Sequence, residues 1–173
     1  MAGLPAGFPW PILITHHFPR DVRSHLPEIL ARVTPLRVRE AVDCERLLPG
    51  VVLTSPSGAV LGVTPEGRVA FSPRKRGPPD TVDHLFIAAS KAAGRSVVAV
   101  VLSGWGWDGA AGTVVVKKNG GTVIAESPET AEWGGMPAAA VAADCVDEIL
   151  PAPAIAAALV RIATRADRGE APA

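Results

Sequence analysis

The chain has 173 residues, 48% of them hydrophobic, 20% charged and 5% aromatic, which suits one globular domain. Seventeen Lys and Arg balance seventeen Asp and Glu, so no global field recruits nucleic acid or an anionic membrane surface. The longest apolar runs, such as residues 97–102, fall far below the roughly 20 residues needed to cross a bilayer, so no membrane insertion is expected. The N-terminus has no positive region ahead of its apolar residues, which argues against a secretory signal and for the cytoplasm. Cys44 and Cys145 cannot make a disulfide framework and belong to no zinc-type cluster; two reduced, partly buried thiols are expected.

In chain order, residues 11–15 (PILIT) read as a buried strand entering a parallel sheet. Asp21 can cap a following helix with Val22, Leu26, Ile29, Leu30 and Val33 at helical spacing, in which Pro27 marks either a bend or the true first turn. Residues 36–73 break into short β-prone pieces (36–41, 51–55, 59–63 and 68–72) between turn signals, and read as an antiparallel excursion at the sheet edge. The loop that follows carries Arg74, Lys75 and Arg76, either a solvated segment or a docking surface for an acidic partner.

Thr81 is the expected cap of a helix ending at Gly94, and residues 97–102 (VVAVVL) an apolar strand of buried parallel type. A glycine-rich loop at 103–108 leads to a helix over 109–118. Further along come a strand at 122–125, a short helix starting over 127–132, an alanine-rich helix opened by Gly134, a last extended piece at 145–150 and a terminal helix over 154–166. This alternation implies a doubly wound, mainly parallel α/β sheet with helices on both faces and a small antiparallel hairpin excursion. The domain is expected over 1–166, with 167–173 a frayed tail.

Two segments carry chemistry, and both follow strands, where open α/β sheets place their sites. In residues 102–112 (LSGWGWDGAAG), Gly104, Gly106 and Gly109 match a dinucleotide fingerprint, with Glu126 where a ribose-binding acid belongs. Against that reading, Asp108 brings negative charge to the helix end that would receive a pyrophosphate, and two tryptophans crowd the loop. The second segment is Thr15-His16-His17-Phe18-Pro19. A histidine and an aspartate on neighbouring strand ends are two thirds of a hydrolytic triad, in which imidazole takes a hydroxyl proton and carboxylate fixes the tautomer. The plainer alternative makes the histidines a polar rim and Asp108 the N-cap of the helix at Gly109.

Six collinear stretches, LPAGFP (4–9), ILITHHFP (12–19), REAVDCERLLPG (39–50), VDHLF (82–86), VLSGWGWDGAAG (101–112) and EWGGMP (132–137), resemble the chemotaxis protein-glutamate methylesterases of the CheB type. The resemblance implies hydrolysis of γ-glutamyl methyl esters, with deamidation of certain glutamines, on the cytoplasmic region of chemoreceptors. It assigns the general base to His17 and its carboxylate partner to Asp108. Trp105 replaces a methionine whose backbone amide is thought to point at the oxyanion. It implies no metal and no cofactor, and it leaves open a receiver domain acting in trans as a partner.

The family's nucleophile stands in a Gly-Ala-Ser-x-Gly-Gly turn after an earlier strand, and none of the sixteen residues before His17 is a serine. Ser103, Ser24, Ser55, Ser57 and Ser90 offer no obvious substitute, Ser24 and Ser90 being read as helical. The first strand and nucleophile turn are therefore expected to be lacking, the chain as written inactive, and the uncovered sheet edge closed by a homodimer. The alternative is a degenerate pseudoenzyme serving as a binding or regulatory module.

Overall fold

The computed structural model describes residues 1–19, 22–73 and 80–169. Its elements are β1 (Ile12–Ile14), α1 (Leu26–Ala31), β2 (Arg37–Glu40), β3 (Val51–Thr54), β4 (Ala59–Val63), β5 (Val69–Pro73), α2 (Thr81–Ala93), β6 (Val98–Val101), α3 (Ala110–Lys118), β7 (Thr122–Glu126), α4 (Gly135–Ala142), β8 (Glu148–Leu150) and α5 (Ala152–Asp167). Two parallel three-stranded sheets, β1-β3-β2 and β6-β7-β8, accompany an antiparallel β4-β5 hairpin.

Side-chain alternation shows how the two sheets lie. Through α2, Leu85 packs with Val51 and Leu53 of one parallel sheet and with Leu61 of the hairpin, whereas Val82 and Phe86 pack with Ala99, Val101 and Val123 of the other parallel sheet. On the opposite face, Ala156 and Ala163 of α5 cover Val52, Ile155 and Ala158 cover Ile124, and Leu159 touches both clusters. One helix per face thus bridges the two sheets, which form a single layer with β1 and β6 as neighbouring edges. No hydrogen-bonded register joins those edges among the described residues.

Several expectations are corrected. Segments 36–41 and 51–55 are not antiparallel: β3 pairs in parallel with β1 on one side and β2 on the other, because all three bury apolar residues on the sheet faces that α2 and α5 cover. β1 and β6, read as buried, are edges whose Ile12, Leu13, Ile14, Val98 and Val100 stay half-exposed. α1 is shorter than its periodicity suggested, since Pro27 occupies its first turn; Val22 and Val33 lie outside it and are exposed. Residues 127–132 form turns, not a helix: both Thr130 and Ala131 N–H groups donate to the Ser127 carbonyl, and the Thr130 side chain bonds Glu126. The terminal helix runs to Asp167. Cys44 is exposed, held at positive φ in a turn, while Cys145 is half-buried. Asp21 and the Arg74, Lys75 and Arg76 cluster lie outside the described residues.

Candidate active site

β1 ends at Ile14 and β6 at Val101, and the loops leaving these neighbouring edges meet. His17 Nε2 lies 2.6 Å from Asp108 Oδ2 across 91 residues of sequence. The Asp108 side chain is 2% exposed and that of His17 28%.

Asp108 does not cap the helix that follows it. Its carboxylate accepts the Val82 N–H at 3.0 Å and the Asp83 N–H at 2.9 Å, and Thr81 Oγ1 approaches at 3.4 Å, so it closes the first turn of α2. Thr81, expected as the α2 cap, is instead the first helical residue, after Asp80. In exchange, Asp83 Oδ1 accepts the N–H groups of Gly109 and Gly112 at 3.0 and 2.6 Å and closes the start of α3. The exchange requires close helices. A Cβ on Gly112 would stand 2.8 Å from Phe86 Cβ and 3.1 Å from Asp83 Cα, and Gly109 sits at φ +101°. No spacing rule within one helix reveals a cap traded between two.

The electrostatics follow from these contacts. Burial pushes the Asp108 carboxyl up, but the hydrogen bonds from His17, Asp83 and Val82 outweigh it and leave the group below the usual carboxylate range. Burial, aided by the charges of Asp108 and Asp80, outweighs the Gly112 and Gly109 bonds at Asp83 and holds that carboxyl above its ordinary value. Asp108 is therefore the anion that orients His17. An Nε2–H donated to Asp108 leaves Nδ1 as the ring's acceptor.

His16 points elsewhere. Its Nε2 lies 3.1 Å from Ser24 Oγ, which accepts the Leu26 N–H at 3.2 Å and so turns its own hydrogen toward the imidazole. Ser24 is buried in the approach to α1 rather than helical. Burial, with the neighbouring His17 charge, lowers the His16 pKa and favours the neutral ring, whose buried Nδ1 lacks a partner among the described residues. A cavity of about 10 Å³ beside it, lined by residues including Phe18, Ser55, Ser57 and Thr81, has room for about one water. This part-buried pair ties the end of β1 to the approach of α1, and the residues around it gave no sequence signal.

Three of the other serine hydroxyls are also engaged away from His17, while the buried Ser127 Oγ has no hydrogen-bond partner among the described residues. Ser57 donates to the Val22 carbonyl, Ser90 to the Val115 carbonyl, and Ser103 Oγ accepts the Trp133 N–H. Among the described residues, no serine hydroxyl hydrogen-bonds to His17.

The dinucleotide reading is overturned. The start of α3, where a pyrophosphate would bind, already holds the Asp83 carboxylate. Glu126, the expected ribose-binding acid, is buried and occupied: Oε2 accepts the Ser103 N–H at 2.8 Å and Oε1 the Thr130 hydroxyl at 2.9 Å. It anchors the loop instead.

That loop is rigid. The Gly104 N–H donates to the Trp133 carbonyl at 2.8 Å and the Met136 N–H to the Gly104 carbonyl at 2.9 Å. Gly104 itself sits against the Met136 thioether, which would have to shift to admit a larger residue there. The Trp105 N–H has no acceptor among the described residues, which leaves it free to receive a developing oxyanion. Its side chain lies outside the fold, stacked on Trp133 with ring centroids 4.5 Å apart.

Comparison with known proteins matches residues 1–159 to the family model described as CheB methylesterase. A protein-glutamate methylesterase/protein-glutamine glutaminase of Carboxydothermus hydrogenoformans is 37% identical over 162 residues, covering 88% of this chain and 47% of the relative. The protein-glutamate methylesterase FrzG of Myxococcus xanthus is 36% identical, with 91% of this chain and 48% of the relative covered. The chain thus spans about half the length of these curated relatives. The crystal structure of the Thermotoga maritima CheB methylesterase catalytic domain superposes with a TM-score of 0.85 at 34% identity, covering 93% of this chain and 88% of that one.

Proposed function

Because the chain belongs to the CheB methylesterase family, we propose that it carries the histidine and aspartate of a site that hydrolyses γ-glutamyl methyl esters, and deamidates glutamines, on the cytoplasmic region of chemoreceptors. The observation that carries this reading is the 2.6 Å bond between His17 and a buried Asp108 at adjoining strand ends. His17 Nδ1 takes the proton of an attacking hydroxyl, the carboxylate stabilises the imidazolium, and the Trp105 N–H receives the oxyanion. The proton then passes from His17 to the departing methoxide, releasing methanol. Water attacks the acyl group in a second, matching step and frees the glutamate.

The reading includes a requirement. No hydroxyl stands at His17 among the described residues, so the 173 residues alone hydrolyse nothing, and a serine on a segment beside β1 and β6 completes the site. The half-exposed edges of β1 and β6 offer the place for such a segment, or for a second copy in a homodimer. The site works in the cytoplasm, with a receiver domain in trans as its regulator.

The test is methanol release from a methylated chemoreceptor fragment. The 173-residue chain is expected to give none above background, and the same chain extended by a strand with the Gly-Ala-Ser-x-Gly-Gly turn to give release that His17→Ala abolishes. Release by the 173 residues that His17→Ala abolishes would overturn the requirement. No release from the extended, folded chain would overturn the esterase reading.

A further inference from the structure

Of the four tryptophans, Trp10 packs against Phe8 near the N-terminus, while the other three stand at the carboxyl edge of the sheet. Trp105 is 71% exposed, Trp107 69% and Trp133 45%. Such a cluster is costly to leave in water, and clusters of exposed aromatics mark contact surfaces. It adjoins the site directly, since Trp107 precedes Asp108 in the chain.

The platform is preformed. Trp105 and Trp133 stack with planes 28° apart, and the two loops that carry them are tied by the Gly104–Trp133, Met136–Gly104 and Trp133–Ser103 bonds. A Cβ on Gly135 would stand 2.9 Å from the Gly106 backbone, so the loops touch main chain to main chain. Little ordering entropy remains to be lost on binding.

Its charge is one-sided. Residues 102–109 and 127–136 contain no Lys or Arg, and their exposed charges are Glu129 and Glu132, the latter adjacent to Trp133. Asp108 and Glu126 are buried and hydrogen-bonded already. An indole face is negative and attracts a cation; a planar guanidinium stacks on it better than an ammonium and is more weakly hydrated. A phosphate-rich partner meets two carboxylates there instead.

We propose that the Trp105–Trp133 platform, with Glu132, is a docking surface for an arginine side chain of the polypeptide presented to the His17–Asp108 site. The identity of that polypeptide as substrate rests on the function proposed above; the arginine preference rests on the platform alone. Trp105, Trp133 and Glu132 are then specificity-determining residues.

The test is a titration of the 173-residue protein, followed by tryptophan fluorescence and by the indole N–H signals in NMR. The probes are an alanine-based helical peptide with a glutamate γ-methyl ester and an arginine four residues away, and the same peptide with glutamine for arginine. The arginine peptide is expected to bind roughly three- to tenfold more tightly. Trp105→Ala and Trp133→Ala should each abolish that preference, and Glu132→Gln should reduce it. Equal binding of the two peptides, no binding of either, or an unchanged preference in both tryptophan variants would overturn the proposal. So would Trp105-dependent dimerisation without peptide, which would assign the platform to a second copy. Because the readout is binding, a chain that fails to hydrolyse esters can still pass, and an active enzyme indifferent to arginine would fail this inference alone.

Discussion

The two sides of the site are held by different means. On the β6 side, Asp108 is enclosed by the first turn of α2, and the trade with Asp83 makes its carboxylate part of the helix packing. On the β1 side, His17 follows the strand end, partly exposed, and among the described residues it is held by its bond to Asp108. Under the proposed function the aspartate thus serves the fold and the chemistry together, while the histidine serves the chemistry. A carboxylate fixed by backbone donors cannot swing away, so it imposes its geometry on the more exposed imidazole.

The comparison breaks most visibly at Asp108. Asp108→Ala orphans the Val82 and Asp83 N–H groups and is expected to cost about 3 kcal/mol in urea unfolding, whereas His17→Ala costs about 1 kcal/mol or less. Equal losses would mean that the aspartate has no special structural part. Gly112→Ala pushes α2 from α3 and is expected to cost about 2 kcal/mol, with both carboxylate caps weakened together.

The pH dependence sharpens the same contrast. The folded pKa of Asp108 lies below its unfolded value, so its contribution is complete above the ordinary carboxylate range and is lost as pH falls through the folded value. His17→Ala should diminish that acid-side loss, measured as unfolding free energy between about pH 5 and pH 2. The smallest effect belongs to His16. Its folded pKa lies below the unfolded value of 6.5, so its contribution is complete above that pH and declines as the unfolded chain takes up a proton below it. His16→Gln should flatten stability between about pH 7 and pH 5, at the cost of the Ser24 bond.

Much of the fold was legible because strand, turn and helix signals alternate cleanly after residue 81, and the motif around Asp108 marks its own place at a strand end. What stayed hidden depends on contacts between distant segments. The parallel pairing of β3 with both β1 and β2 looks, in sequence, like any run of short strands with turns between them. Pro27 allowed two readings, and the structure takes the one that starts the helix there. Asp108 looked like a local cap because Gly109 begins a helix, yet its donors come from α2, 26 and 25 residues away. Glu126 fitted a ribose site by spacing, but its burial against Ser103 and Thr130 decided its role.

The orientation of His17 is the claim on which the rest depends. Long-range proton–nitrogen NMR of the imidazole, at a pH where the ring is neutral, reads it directly. A proton on Nε2, slow to exchange and lost to a mixed tautomer in Asp108→Ala, is the predicted result. A proton on Nδ1, or the same spectrum with and without the Asp108 carboxylate, would contradict it.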